Sequence, residues 1–188
     1  LKMAMYTEGQ STEIPESGWI ESSIRDMDVM TGLFADDERV RFRKAYGEML
    51  CKMKDFDGSE KYLTEAFGLG EATIGVNNSL VLSTMHSLGK TLRLSKSLIM
   101  AEGVMKRCVD IKITLLGRAH SSTLRSIKQL VLILQSFTRD SGDGIDSDVL
   151  RRKQDESLTY YLLLEEIYKE KLNATNNNYD AEEVEPCR

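Results

Sequence analysis

IGVNNSLVLSTMHSLGKTL, residues 74–92, and LGRAHSSTLRSIKQLVLIL, residues 116–134, are one pattern written twice. Ile74-Gly75, Asn78, Leu82, Met85, Leu88 and Leu92 return as Leu116-Gly117, His120, Leu124, Ile127, Leu130 and Leu134, each 42 residues on (116 − 74 = 42). The segment between them repeats one register further back. Phe56, Ser59, Leu63, Ala66 and Leu69 correspond to Leu98, Ala101, Met105, Cys108 and Ile111, again 42 apart (98 − 56 = 42). Apolar residues three and four apart mark one face of a helix. Helical units at a fixed period in this range are the signature of a stacked helical array.

Composition sets the outer bounds. The 188 residues suffice for one domain with a sizeable core, and 41% hydrophobic with 29% charged residues fits a globular chain. No apolar run approaches the roughly 18 residues that span a bilayer, and the opening residues do not read as a signal peptide. Cys51, Cys108 and Cys187 are too scattered for a disulfide framework or a metal site. An intracellular, cytoplasmic setting is the expectation. A net charge of −5 argues against generic nucleic-acid binding. Two prolines and little β-branched alternation point to an all-α chain of about seven helices.

In order, residues 1–16 read as a flexible lead-in, and Ser17 as the N-cap of a half-repeat over 17–33 with Trp19, Ile20, Ile24, Met27 and Met30. Three repeats follow, at about 37–75, 78–117 and 121–173, completing a repeat domain over 17–173. Val40, Tyr46, Leu50 and Met53 mark the buried face of the helix over 37–54, and His120 or Ser121 caps the one over 121–137. A Gly, Asp and Ser-rich stretch, 139–149, reads as a loop insertion. Beyond it Ser157, Tyr161, Leu164 and Ile167 take the places of Ala101, Met105, Cys108 and Ile111 at an offset of 56, which is 42 plus 14. Asn173 is placed as a helix C-cap, and 174–188 as a disordered acidic tail.

Small residues recur at fixed offsets: Gly47 and Gly89, then Ser59 and Ala101, then Ala66 and Cys108. This resembles the tetratricopeptide repeat, a helix–turn–helix unit. The period of 42, with Leu116-Gly117, His120 and Thr123-Leu124, is similar to the kinesin-light-chain type of repeat. The third unit carries Val131 in place of the glycine. The resemblance implies a right-handed superhelical array of antiparallel helix pairs whose first helices line a concave groove, and a protein-interaction function there.

On that implied groove the exposed positions are Arg41, Lys44, Glu48 and Lys52, then Ser83, His86, Lys90 and Arg93, then Arg125, Lys128, Gln129 and Gln135. The face is basic although the chain is acidic. A field of one sign across three units favours an acidic peptide segment of a partner. The expectation is therefore a non-enzymatic scaffold or peptide-binding module without cofactor or metal, and without nucleic acid or membrane. Lys44 matches one half of the pair that clamps a C-terminal carboxylate, but Glu48 replaces its asparagine, so that clamp is not expected. One alternative is a subunit assembling into a homo-oligomer or larger complex through its convex face or repeat ends. Another is an accessory helical domain of an enzyme or small-molecule binder. His86 and His120 stand beside no residues at a catalytic spacing. In the 140–148 loop, a calcium-loop register would put Arg139 and Leu150 at ligand positions.

Overall fold

The computed structural model describes residues 18–29, 33–139 and 146–182, with Met27 and 175–182 described by backbone alone. The chain divides into two compact units, 1–35 and 36–188. The first holds one described helix, α1 (Gly18–Val29), in which Ile24 is buried and Trp19 exposed. Ser17 and Met30 lie outside the described residues.

The second unit contains α2 (Asp36–Lys52), α3 (Phe56–Thr73), α4 (Ser79–Leu94), α5 (Leu98–Leu116), α6 (Ser121–Arg139) and α7 (Ser147–Glu182). Successive helices pack antiparallel, giving three hairpins: α2–α3, α4–α5 and α6–α7. The first helices also touch their counterparts, α2 with α4 and α4 with α6, whereas the second helices stand further apart and meet only through long charged side chains, Arg107 with Glu71 and Lys106 with Glu156. First helices crowded together and second helices spread apart curve the array, with α2, α4 and α6 on its inner side. Among the described residues this is the all-helical, stacked architecture expected from the period.

The period reaches down to single backbone torsions. Lys54 and Lys96, 42 apart, both take left-handed φ (66° and 68°) in the turns inside hairpins. Gly75 and Gly117, also 42 apart, take positive φ between hairpins, where glycine adopts it without steric cost. Helix starts are capped by side chains, His120 as expected from the sequence and Asp55 and Asn78 in addition. Asp55 accepts from the Gly58 amide at 3.0 Å, Asn78 from Leu80 at 2.8 Å, and His120 Nδ1 from Ser122 at 3.2 Å. No helix among the described residues is long and apolar enough to cross a membrane.

Glycine repeats because the hairpins close there. A Cβ on Gly47 would stand 2.7 Å from Leu63 Cγ, and one on Gly89 would stand 2.5 Å from Met105 Cε. Leu63 and Met105 fill that space and are fully buried. Around them Leu82, Leu92, Cys108, Ile127, Leu130 and Ile133 form one continuous core through the second and third hairpins. Ser59 and Thr91, on α3 and α4 of neighbouring hairpins, bond hydroxyl to hydroxyl at 3.0 Å and are both buried.

The third hairpin departs from the rule in three ways. Val131 occupies the glycine position, so the α7 residue that should cover it cannot come down. Tyr161, expected buried like Met105, is instead 58% exposed, while Ser157, Leu164 and Ile167 keep their buried places. Second, α7 passes through Asn173 and remains helical to Glu182, so Asn173 is not the helix end and the first residues expected as tail are helical backbone. Third, α7 begins at Ser147, inside the stretch expected as loop, and 140–145 lie outside the described residues. A smaller correction concerns Met53. It falls in the turn after α2 and is exposed, unlike Val40, Tyr46 and Leu50.

Candidate functional site

The residues expected to form the groove all lie on α2, α4 or α6, the helices of the inner side. Their charges are not equally available. On α2, Lys44 pairs with Glu48 at 2.8 Å and Arg41 with Asp37 at 3.4 Å. Glu48 also accepts from the Ser87 hydroxyl of α4 at 2.5 Å, binding the first two units together. Burial would raise the Glu48 carboxyl, but hydrogen bonds from Lys44 and Ser87 hold it below its usual range. A small cleft of about 280 Å³ opens beside this pair, lined by Glu48, Cys51, Lys52, Ser87, Lys90 and Leu94.

On α4 and α6 the cations are unopposed. Lys90, Arg93, Arg125 and Lys128 have no ion pair among the described residues, and Lys128 lies 4.9 Å from the ring centre of Tyr168 on α7. The positive field is therefore centred on the second and third units rather than spread over three. Gln129 is not exposed as expected. It is 9% accessible, and its Nε2 has no hydrogen-bond partner; the Nε of Arg93 is likewise buried and unpartnered.

His86 behaves differently from the cations around it. Its Nδ1 lies 3.1 Å from the Ser126 hydroxyl, which in turn accepts from the buried Lys112 at 2.8 Å. Burial first, and then Lys112, Arg125 and Lys90, push the imidazole down to about 4. His86 is thus neutral at pH 7 and adds no charge to the groove. Burial also lowers Lys112, whose fixed hydroxyl partner offers no counter-charge.

The sign of the linkage follows. The unfolded imidazole binds a proton near its model value of 6.5 and the folded one only near 4, so stability falls as pH drops from 6.5 toward 4. Because the ring is part exposed, the loss at pH 4 is about 2 kcal/mol rather than the full value of the shift. His86→Gln keeps a hydrogen-bonding partner for Ser126 and removes the titration. Its urea midpoint should stay level between pH 6.5 and 5, where the parent chain already weakens. Parallel slopes would rule His86 out as the cause.

Neither the Ser126 relay nor the unpartnered donors stand out in the sequence, because both depend on which side chains meet across α4 and α6. One signal is there to be read. Gln129 lies 42 residues beyond Ser87, and Lys90 lies 42 beyond Glu48. A second cleft, of about 820 Å³, opens between α6 and α7. It is lined by Lys128, Val131, Leu132, Tyr161, Leu164 and Tyr168 and follows from the valine at the glycine position.

A family model described as tetratricopeptide repeat matches residues 81–122, the second hairpin and the start of the third. No curated protein matches the chain. Among solved structures, two of a Podosopora anserina kinesin light chain protein with nearly identical tetratricopeptide-like repeats superpose well. A single-substitution form of it has a TM-score of 0.61 at 12% identity, covering 84% of this chain and 70% of that one. The other form scores 0.59 at 12%, covering 82% and 70%. BtubC (BKLC) from P. vanneervenii scores 0.51 at 10%, covering 92% and 78%. At such identities the likeness is one of fold, and repeats of this kind indicate a protein-interaction or scaffold module. The period, the hairpins and these matches agree: the chain has a tetratricopeptide repeat matched over residues 81–122 and a fold similar to that of the kinesin-light-chain repeat structures.

Proposed function

We propose that the chain is a non-enzymatic interaction module that binds an acidic peptide segment of a partner on the inner face of α4 and α6. The observation that carries this reading is the group of unopposed cations, Lys90, Arg93, Arg125 and Lys128, on a chain whose net charge is −5. Arg and Lys give charge-assisted hydrogen bonds to carboxylates, and a concave field of one sign speeds association with the opposite sign. Arg41 and Lys44 serve mainly to hold α2 through Asp37 and Glu48, leaving Lys52 as the cation of that helix nearest the site. A second reading is assembly with another subunit through the α6–α7 cleft, where Leu132, Tyr161 and Tyr168 are exposed together.

The test is fluorescence anisotropy with a blocked, labelled decapeptide of glutamate, aspartate and serine, and a lysine–serine counterpart. The parent chain should bind the acidic peptide and not the basic one. Lys90→Glu combined with Arg125→Glu should weaken acidic-peptide binding at least about tenfold, and added salt should weaken the parent. Equal binding by the variant, or indifference to peptide charge, would overturn the groove reading and leave the cleft as the surface to pursue.

A further inference from the structure

The second and third hairpins carry the same junction positions with opposite chemistry. On the second hairpin, side chains that receive the third are polar. His86 and Lys112 meet Ser126 of α6, while Glu102 meets Lys153 and Lys106 meets Glu156 of α7. In the register of the repeat these four become Lys128, Tyr168, Leu158 and Leu162 on the third hairpin (128 − 86 = 42; 168 − 112, 158 − 102 and 162 − 106 = 56). Three of the four polar residues have given way to leucine or tyrosine, on the last hairpin of the described residues. Leu158, Tyr161 and Leu162 are more than half exposed, and Tyr168 is close to it.

The terminal unit of a helical array ordinarily turns a polar face outward, because no neighbour covers it. Here the face is apolar, and it is continuous. Two clefts, of about 820 and 250 Å³, share Gln135 and Tyr161 and run along the seam between α6 and α7. Contiguous exposed apolar surface marks a docking site. What the register seats on such a face is a helical hairpin, as α6–α7 sits on α4–α5, and here that hairpin must present apolar residues. The third hairpin itself meets both demands. We infer that the chain forms a two-fold homodimer in which the α6–α7 end faces of two copies pack on each other. In that isologous arrangement each copy gives and receives the same patch. Charge permits it on this face and not on the inner one. The larger cleft carries one cation, Lys128, and one carboxylate, Glu165, which is already paired with Lys169 at 2.7 Å. Two inner faces would set Lys90 and Arg125 against like charges. The inference rests on the second reading above, assembly through the cleft, and names its occupant.

Sedimentation equilibrium of the full chain between about 1 and 100 μM tests it, a range that resolves micromolar association. The parent should sediment at twice the chain mass. Leu158→Glu combined with Leu162→Glu should raise the dimer dissociation constant at least about a hundredfold, since closing the face would bury four unpaired carboxylates. Both side chains are exposed in the single chain, so helix content by circular dichroism should match the parent. Ile99→Glu combined with Met100→Glu alters a still more exposed apolar pair on α5 and should leave the dimer intact.

A dimer that Leu158→Glu/Leu162→Glu does not dissociate, or that Ile99→Glu/Met100→Glu dissociates equally, overturns the end-face dimer. A parent monomeric throughout overturns the second copy as occupant, and the dye anilinonaphthalenesulfonate, which fluoresces on open apolar surface, then decides the reading beneath it. Fluorescence that falls in Leu158→Glu/Leu162→Glu keeps the face as a docking surface for a different subunit. Equal fluorescence removes that reading as well.

Discussion

Met105→Ala should cost about 3 kcal/mol of folding stability, read as a fall in the urea midpoint at unchanged slope. Met105 is fully buried and its terminal methyl occupies the space under Gly89. Truncation leaves a void between α4 and α5 that neither backbone can close, because the Gly89 side of the gap has no side chain to move. The consequence is wider than one hairpin. In an array each unit touches only its neighbours, so stability is close to a sum of unit and junction contributions. The second hairpin lies between the other two and shares its core with Ile127, Leu130 and Ile133 of α6. Loss of its packing should therefore raise hydrogen exchange in α6 as well as in α4 and α5. Exchange confined to α5, or a cost below about 1 kcal/mol, would mean that the core collapses around the void and that the glycine closure is not what holds the hairpin.

That closure also explains which parts of the structure are legible in the sequence. A period of 42 constrains backbone and side chain together. It locates the hairpins, the small residues at their crossings and the caps Asn78 and His120, and structure adds the left-handed turns at Lys54 and Lys96 in the same register. Each of these is a local demand repeated in a chain of fixed geometry. Legibility fails where the repeat itself changes. Val131 is visible as a substitution, yet its result, an outward Tyr161 and a cleft of about 820 Å³, depends on how two helices settle when they cannot close. Asn173 has the chemistry of a C-cap, but its intrinsic preference is worth too little to stop a helix whose backbone bonds continue. On the inner face, counting basic residues gives the sign and misjudges the distribution. Lys44 and Arg41 are neutralised by Glu48 and Asp37, His86 is uncharged, and Gln129 is buried. Charge can be read from letters; pairing requires distances.

The looser closure of the third hairpin, with Val131 at the glycine position and Tyr161 outward, raises the question of what holds α7 in place, and Glu102 answers it. Glu102 is 8% accessible near the start of α5, and it accepts from Lys153 of α7 at 2.5 Å and from Lys106 at 2.7 Å. Lys106 also reaches Glu156 of α7 at 2.6 Å, so two carboxylates and two ammonium groups alternate across the two helices. Burial would raise the Glu102 carboxyl, but hydrogen bonds from Lys106 and Lys153 hold it below the usual range, and Lys106 is correspondingly raised. Glu102→Gln keeps the shape and removes the charge that both lysines share. It should cost about 2–3 kcal/mol, at or below the lower end of what breaking a buried pair costs, because both lysines reach solvent. A carboxyl whose folded pKa is depressed stabilises fully above its ordinary value of 4.5 and loses that contribution as pH falls through the folded value. The gap between parent and variant should therefore be constant from about pH 8 to 5 and close in stronger acid. The variant should also show faster hydrogen exchange in α7 than in α4, since these pairs tie α7 to α5. An unchanged midpoint at neutral pH would return the anchoring of α7 to its contacts with α6, through Leu164 and Ile167.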